Sequence, residues 1–263
     1  MNWIFMNTGF HSGRFNMEFD EALASQLKNK IGPETLRVYG WKPYCISLGF
    51  NQRLDDFDRA KLANDGIDLV RRPTGGRAIL HAHEITYSVV AELGDTTPRE
   101  IYRFINEGLL AALHHLGVYA QLTDRDADFR ALYQDPSSVP CFSSSAKSEI
   151  QYCGKKLVGS AQRRYGQMIL QHGSLLLGPH HRKIVDYLAP HINNMCDIIE
   201  EQLIHHTTDL ETILGRPVSF IEASDAIKKG FEQQCRITFD DTILFESGFM
   251  GYPSSVSTIG VTI

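Results

Sequence analysis

The sequence predicts an α+β fold in which mixed, mostly antiparallel β-sheets pack against amphipathic helices. Residues 85–90, Ile-Thr-Tyr-Ser-Val-Val, follow the period of two that is typical of a strand. Between 149 and 177 three strand-like segments follow one another, with Gly154-Lys155 as the first turn, which indicates an antiparallel meander. Apolar residues at helical spacing in other segments predict the helices that cover these sheets.

The N-terminal part is predicted to form one helix and two strands. Apolar residues at helical spacing place an amphipathic helix over 16–27, and Asn16 is the expected N-cap. Residues 35–50 indicate two strands joined by a turn at Gly40–Pro43. Cys45, within the second strand, is expected to be a small buried residue.

The segment from 69 to 90 is the most informative part of this half. We interpret it as strand, tight Gly75-Gly76 turn, strand, turn and strand, preceded by a helix over 54–65 that ends at Gly66. Both paired glycines can adopt positive φ and carry no Cβ, so a ligand can approach their backbone closely. The turn is surrounded by positive charge from Arg71, Arg72 and Arg77. Arginine side chains suit phosphate or carboxylate recognition. An ordinary hairpin with charged edges is the alternative interpretation.

The C-terminal part is predicted to be largely helical outside the meander. The strongest pattern is a helix over 98–116, capped by Thr97 and ended by Gly117. The remaining predictions are a strand at 118–122, a loop at 124–138, helical segments at 179–188 and 197–214, a helix over 219–234 with Ser219 and Glu222 as a capping box, a strand at 235–239, and a turn-rich tail from 242 onward.

Composition excludes several function classes. The net charge of −5 argues against non-specific nucleic-acid binding, which needs a basic surface. No apolar run is long enough to span a membrane and the N-terminus lacks a secretory pattern, so we expect a cytoplasmic protein without membrane partners. The five cysteines are scattered without a Cys-x-x-Cys pair, and the histidines lack companions at metal spacing. We therefore expect no metal site.

The segment RRPTGGRAILHAHEITYS at 71–88 resembles the signature of the lipoate/biotin protein ligase and octanoyltransferase superfamily. The signature combines an arginine pair, a glycine pair, a histidine about five positions later and a Tyr-Ser strand. The resemblance implies the catalytic-domain fold of that superfamily, in which the glycine loop and adjoining strands wall an acyl-chain tunnel. It also implies a single catalytic domain over 1–263, with a core at about 30–240 and no separate C-terminal accessory domain.

A second block, 140–178, is similar to the cysteine-dependent octanoyltransferase branch of that superfamily. The matching elements are Cys-Phe at 141, Gly-Lys-Lys at 154, Gly-Ser-Ala-Gln at 159 and Ile-Leu-Gln-His-Gly-Ser at 169. The resemblance implies that Cys141 is the nucleophile and that Lys156 is the active-site lysine. The chemistry agrees, because a nearby ammonium lowers a thiol pKa and raises the fraction of reactive thiolate. Cys153, by contrast, sits within a predicted strand and is expected to be buried.

The resemblance also implies which residues contact substrate. They are Arg72, Thr74, Gly75, Gly76, Arg77, His81, Gly159, Ser160, Ala161, His172 and Gly173. For His81 and His172 a structural role is at least as well supported as a catalytic one. The implied activity is transfer of an octanoyl group from acyl carrier protein to the lipoyl-domain lysine of the glycine-cleavage H protein or a 2-oxoacid dehydrogenase E2.

Two alternatives remain open at this stage. An ATP-dependent lipoate ligase would use the same pocket for an acyl-adenylate and would need ATP and Mg²⁺, whereas the transferase needs no cofactor. A catalytically silent acyl-binding module would bind octanoate without forming a thioester. The acyl-chain preference, the acceptor lipoyl domain and the oligomeric state do not follow from the sequence.

Overall fold

The computed structural model describes residues 2–123 and 149–240, which form two β-sheets and six α-helices. The strands are β1 (Asn2–His11), β2 (Thr35–Trp41), β3 (Cys45–Leu48), β4 (Asp68–Arg71), β5 (Ile79–His81), β6 (Glu84–Glu92), β7 (Gln121–Leu122), β8 (Ile150–Tyr152), β9 (Lys155–Tyr165), β10 (Met168–Leu176) and β11 (Thr238–Phe239). The helices are α1 (Gly13–Lys28), α2 (Arg59–Asn64), α3 (Pro98–His115), α4 (Cys196–His206), α5 (Leu210–Leu214) and α6 (Phe220–Gln234), with 3-10 turns at Leu54–Asp56, Pro179–Tyr187 and Pro190–Met195.

The larger sheet has eight strands in the order β11-β1-β2-β6-β10-β9-β8-β7, and the smaller has three in the order β4-β3-β5. Only β1 with β11, β1 with β2 and β3 with β4 pair in parallel within the described residues. The predicted α+β class with mostly antiparallel pairing is therefore confirmed. The meander is confirmed as well, because β8, β9 and β10 pair antiparallel in sequence order.

Four apolar clusters of the described residues hold the layers together, and the three larger ones lie as follows. Helices α3 and α6 cover one face of the larger sheet, where Leu109 and Phe231 pack with Tyr87 and Leu36. Helix α1 covers the other face through residues such as Phe19 and Leu23. The smaller sheet buries its own cluster against the C-terminal segment, including Ile46, Leu80, Ile184 and Leu203. Burial of these side chains is the main stabilising contribution.

Helix α1 begins three residues before the sequence predicts. Ser12 is the N-cap, since its side chain accepts a hydrogen bond from the Phe15 N–H. Asn16, the predicted cap, is instead fully buried in the first turn, where its amide donates to the carbonyl oxygens of His11 and Gly40. The prediction was wrong because a buried asparagine and a capping asparagine look the same in sequence.

The paired glycines do not close a hairpin. Strands β4 and β5 do not pair with each other, because β3 lies between them, parallel to β4 and antiparallel to β5. The Gly75-Gly76 segment therefore crosses the end of β3 as a loop. Of the two glycines only Gly76 has positive φ, at 88°. The chain then leaves the smaller sheet after His81 and enters the larger one at Glu84.

Several local predictions need correction. Residues 54–65 form a 3-10 turn and the short helix α2 rather than one helix, and the strand predicted at 118–122 is limited to β7. Cys153 is exposed in the β8–β9 turn with a φ of 49°, so the expected buried position was wrong. Cys45 is fully buried, as predicted. The predicted loop at 124–138 and the tail from 242 onward lie outside the described residues.

The helix predicted over 98–116 is confirmed as α3, with Thr97 and Glu100 forming a complete capping box. In α6 the predicted Ser219 cap is present, but the Glu222 carboxylate pairs with Arg216 instead of completing the box. The predicted helix at 179–188 has 3-10 geometry, and 197–214 splits into α4 and α5. No helix within 2–123 or 149–240 is long and apolar enough to cross a membrane.

Candidate active site

A slot with an empty volume of about 460 Å³ lies between the two sheets. The larger sheet supplies one wall, from Tyr39, Trp41, Thr86, Gly159, Ser160, Ala161, His172, Gly173 and Ser174. The facing wall comes from Ser47, Arg72, Gly76, Ile79 and His81, and Met17 of α1 completes the lining. This volume includes space open to solvent. The lining is mainly apolar with a few placed polar groups, as is typical of small-ligand sites.

Two glycines on the wall of the larger sheet keep its backbone open. A Cβ on Gly173 would lie 2.4 Å from the Gly159 carbonyl oxygen and 2.7 Å from the Tyr87 ring, so only glycine fits there. The hydroxyls of Tyr87 and Ser160 are 2.6 Å apart directly behind this position. Close packing therefore requires glycine at 173, and a part-buried hydrogen bond braces the strands at this point of the wall.

His81 lies flat against Trp41, with ring centroids 4.0 Å apart and planes inclined by 16°. Its Nε2 is 2.8 Å from the Ser47 hydroxyl, which also accepts a hydrogen bond from Arg72. On the other side of the ring, Nδ1 lies 3.5 Å from Glu84. Burial lowers the pKa of His81, so a neutral ring forms this part of the slot.

His172 is held in the opposite wall by two partners. Its Nε2 is 2.6 Å from the Thr74 hydroxyl and its Nδ1 is 3.2 Å from Asp20. Asp20 also accepts hydrogen bonds from Arg37 at 2.7 Å and from Tyr39 at 2.9 Å. Burial by itself would raise the pKa of Asp20, but the charges of Arg37 and His172 outweigh it, and the pKa lies below its usual value. Thr74 thereby connects the glycine loop to a buried ionic network.

Arg72 acts as a brace for the glycine loop. All five of its N–H groups donate to the protein: Nε and Nη2 to the Gly75 carbonyl, Nη2 to the Arg77 carbonyl, and Nη1 to the carbonyl and hydroxyl of Ser47. With its donors used in this way, the guanidinium shapes the slot and is not the anion-binding group that its sequence position suggests.

Lys156 is buried near the start of β9, three residues before the slot-lining Gly159. Its ammonium forms an ion pair of 2.6 Å with Glu149, and both side chains are only 4% exposed. The Thr208 N–H donates to the Lys156 carbonyl, so the segment after α4 fixes the strand at this point. A buried ammonium held by a carboxylate is a positioned charge rather than a mobile surface lysine.

The predicted site residues thus divide into three groups. Eight of them line the slot: Arg72, Gly76, His81, Gly159, Ser160, Ala161, His172 and Gly173. Thr74, Gly75 and Arg77 lie outside the lining and act on it through hydrogen bonds to His172 or Arg72. Lys156 also lies outside the lining, and Cys141 falls outside the described residues.

Sequence reasoning missed the apolar and hydroxyl part of the lining. The missed residues are Met17, Tyr39, Trp41, Ser47, Ile79, Thr86 and Ser174. Alternation along the strands was the available signal, since Tyr39 and Trp41, or Ile79 and His81, are two positions apart and share a face. Their assignment to a slot required knowing that the two sheets face each other. Among the described residues, no group of three or more His, Cys, Asp or Glu side chains is arranged to hold a metal ion.

Comparison with known proteins identifies the family of this chain. Residues 12–232 match the family model of the lipoyl protein ligase A/B catalytic domain. Octanoyltransferase LipM of Kyrpidia tusciae is 39% identical over 238 residues, covering 88% of this chain and 86% of the relative. Octanoyltransferase LipM of Symbiobacterium thermophilum is 40% identical over 248 residues, covering 90% of this chain and 88% of the relative.

Solved structures share the fold at lower identity. A crystal structure of lipoate-protein ligase A bound with ATP superimposes with a TM-score of 0.72 at 22% identity, covering 91% of this chain and 88% of that one. A bipartite lipoate protein ligase from Thermoplasma acidophilum gives a TM-score of 0.72 at 20% identity, covering 91% of this chain and 86% of that one. The family match over most of the sequence and the shared architecture lead to one conclusion: the chain belongs to the lipoyl protein ligase A/B catalytic-domain family.

Proposed function

We propose that this protein is an octanoyltransferase that moves an octanoyl group from acyl carrier protein to a lipoyl-domain lysine through a thioester on Cys141. The observation that carries the proposal is the 39–40% identity, over about nine-tenths of the chain, to relatives named octanoyltransferase. The slot between the sheets supports it, since its mainly apolar lining, with glycines on one wall and the Tyr39 and Trp41 rings, suits an acyl chain.

The chemistry runs in two acyl transfers. The Cys141 thiolate attacks the carbonyl carbon of the donor thioester, and collapse of the tetrahedral intermediate releases the carrier thiolate, which takes up a proton. The neutral ε-amine of the acceptor lysine then attacks the enzyme thioester, and the Cys141 thiolate leaves as the amide forms and the amine loses a proton. Acyl transfer from thioester to amine needs no ATP, metal or other cofactor, and none has a role in this scheme.

Lys156 supplies positive charge to this reaction. An ammonium near the nucleophile stabilises both the thiolate and the oxyanion of each tetrahedral intermediate. The ion pair with Glu149 fixes the Lys156 side chain, so that its charge is in place before the donor binds. The acceptor is a lipoyl domain, for which the H protein of glycine cleavage and the E2 subunits of 2-oxoacid dehydrogenases are the candidates.

The test is the intact mass of the protein after incubation with octanoyl-acyl carrier protein in the absence of ATP. We expect a gain of one octanoyl group that disappears on addition of a lipoyl domain, with the acyl group recovered on that domain. Cys141→Ala should form no acyl-enzyme. Cys153→Ala is the matched control, because Cys153 is an exposed turn residue, and it should be acylated normally.

Two results would contradict the proposal. Normal acyl transfer by Cys141→Ala would exclude the thioester route. A requirement for ATP, with free octanoate or lipoate as the donor, would make the protein a ligase instead.

A further inference from the structure

Two arginines that both contact Phe50, one through its ring and one through its carbonyl oxygen, lie close in the chain to slot-lining residues. Phe50 is 49% exposed, Arg71 is exposed, and the guanidinium carbon of Arg163 lies 4.7 Å from the Phe50 ring centroid. Arg163 also lies 5.0 Å from the centroid of Tyr165. We call Phe50, Arg71 and Arg163 the arginine–phenylalanine patch.

Both guanidinium groups of the patch are held in place by backbone oxygens. Nη1 of Arg71 donates to the carbonyls of Gly49 at 2.9 Å and Phe50 at 2.8 Å. Nη1 of Arg163 donates to the carbonyl of Pro73 at 2.8 Å. Each guanidinium is therefore fixed through one nitrogen, and its Nε and Nη2 donors make no hydrogen bond to any part of the chain that the structure describes.

The patch carries positive charge that no carboxylate of residues 2–123 or 149–240 neutralises. Other arginines of the described chain form ion pairs, such as Arg37 with Asp20 and Arg216 with Glu222. Neither Arg71 nor Arg163 has an acidic partner within ion-pair distance in 2–123 or 149–240. A guanidinium with spare Nε and Nη2 donors presents a fork that matches phosphate geometry, and the patch has two of them.

The patch is continuous with the slot. Arg163 is two residues beyond the slot-lining Ala161 on β9, which places their Cα atoms about 7 Å apart, and Gly159 about 13 Å away. Arg71 directly precedes Arg72, the brace of the glycine loop. An anion bound at the patch would therefore lie a short distance outside the space that holds the acyl chain.

The geometry points to a phosphate subsite: Arg71 and Arg163 bind the phosphodiester of the phosphopantetheine arm that carries the acyl thioester, with Phe50 against the arm. This inference rests on the proposed function, because it takes the donor to be a carrier-bound thioester. The octanoyl chain occupies the slot, the thioester lies at its opening, and the arm extends over the loop to the patch.

The experiment compares two donors that differ only in the phosphate, octanoyl-pantetheine and octanoyl-4′-phosphopantetheine. We expect the wild-type protein to use the phosphorylated donor with a kcat/KM about tenfold higher or more, as one to two charge-assisted hydrogen bonds would give. In Arg71→Gln and Arg163→Gln this ratio should fall several-fold, and in the double variant it should approach one. The ratio cancels any general loss of activity.

Arg164→Gln is the matched control. Arg164 is the next residue on β9, but its guanidinium binds the Gly166 carbonyl and the Gln167 side chain beside the hairpin turn. We expect Arg164→Gln to keep the wild-type donor ratio. Calorimetry with phosphopantetheine and pantetheine provides a second readout that does not depend on turnover, and the Kd values should differ in the same direction.

The outcomes separate this inference from the proposed function. Equal use and equal binding of the two compounds by the wild-type protein would overturn the phosphate subsite, as would a preference that survives in the double variant. An effect seen only with intact acyl carrier protein would indicate contact with the acidic protein surface and would also overturn it. If octanoyl-acyl carrier protein does not acylate the enzyme, the proposed function fails, and the binding comparison still decides whether the patch recognises phosphate.

Discussion

Arg71 and Arg72 are neighbours in the chain, yet their charges serve different purposes. Alternation at the end of β4 turns Arg72 inward, where it is 5% exposed and saturated by backbone and hydroxyl oxygens, while Arg71 faces solvent. The same contrast separates Lys156, buried against Glu149, from the exposed Lys155 ammonium, which donates to the Ile204 carbonyl. In this site the direction of a side chain decides whether its charge braces the protein or meets a ligand.

His181 gives the protein a measurable acid sensitivity. Burial, with a smaller contribution from Arg182, lowers its pKa to about 3, and its Nε2 is 2.8 Å from the Thr207 hydroxyl. An unfolded histidine titrates near 6.5, so between pH 6.5 and about 3 the unfolded chain binds one more proton than the folded one. We therefore expect His181 to make the protein less stable as the pH falls below 6.5, by up to about 1.4 kcal/mol per pH unit.

Urea unfolding at several pH values from 7 to 5 measures this effect. The wild-type free energy of unfolding should fall more steeply with decreasing pH than that of His181→Gln. The difference in slope should correspond to the uptake of up to one proton on unfolding. His205→Gln, which changes a side chain that is 66% exposed, should keep the wild-type slope. Equal slopes in the wild-type protein and His181→Gln would show that His181 titrates alike in the folded and unfolded states.

At the residue scale, the sequence predicted which residues belong to the slot better than it predicted the surroundings of each side chain. Eight of the residues that match the family signature line the slot. They could be recognised because the spacing of a motif can be read from the sequence without knowing the fold. Glu149 was not assigned a site role, since nothing in the sequence pairs it with Lys156 until β8 and β9 fold together. Cys153 was misplaced because a turn that needs positive φ can be made by a non-glycine residue inside a strand-like pattern.

At the element scale, one close packing contact determines the position of the glycine loop. Gly49 follows β3, and a Cβ there would lie 1.8 Å from the Gly76 carbonyl oxygen and 2.7 Å from its carbonyl carbon. Backbone atoms cannot move aside without displacing the loop that Arg72 braces. We expect Gly49→Ala to push this loop out of position, lowering stability by about 1–3 kcal/mol and reducing acyl-enzyme formation at least tenfold.

Gly75→Ala is the matched control for the loop. Gly75 has no positive φ, and a Cβ there would have no heavy atom within 4 Å. Its thermal midpoint and acylation rate should stay close to wild-type values, measured by calorimetry and by the intact-mass assay. A loop that tolerates Gly49→Ala as well as Gly75→Ala would show that the contact with Gly76 is not a constraint.

The loop also shows why element predictions succeed while their pairings fail. Short apolar runs mark β4 and β5 in the sequence, a period of two marks β6, and helical spacing after the Thr97 cap marks α3. Periodicity carries no information about which strands are partners. The hairpin expected at Gly75-Gly76 is replaced by a crossing over β3, because the buried backbone of β3 needs hydrogen-bond partners on both edges.

At the scale of the whole molecule, the slot exists only because two sheets are held face to face. Trp41, at the end of β2 in the larger sheet, donates from Nε1 to Thr86 at 2.8 Å and stacks on His81 of the smaller sheet. Helix α1 joins the sheets as well, since the Gly13 N–H donates to Asp68 of β4 while Phe19 packs in the larger-sheet cluster. Neither contact could be anticipated from local sequence patterns.

These cross-sheet contacts predict that the two sheets unfold together as one domain, although a chain of 263 residues is longer than those that usually unfold in a single step. The two tryptophans allow a direct test. In Trp41→Phe the remaining tryptophan is Trp3, which is buried with α3 in the core of the larger sheet. In Trp3→Phe the remaining tryptophan is Trp41, whose ring would lose its stacking partner His81 if the smaller sheet separated. In urea, fluorescence and circular dichroism should give coincident midpoints within each variant. A Trp41 transition that precedes the loss of secondary structure would show instead that the smaller sheet opens first, and with it the slot.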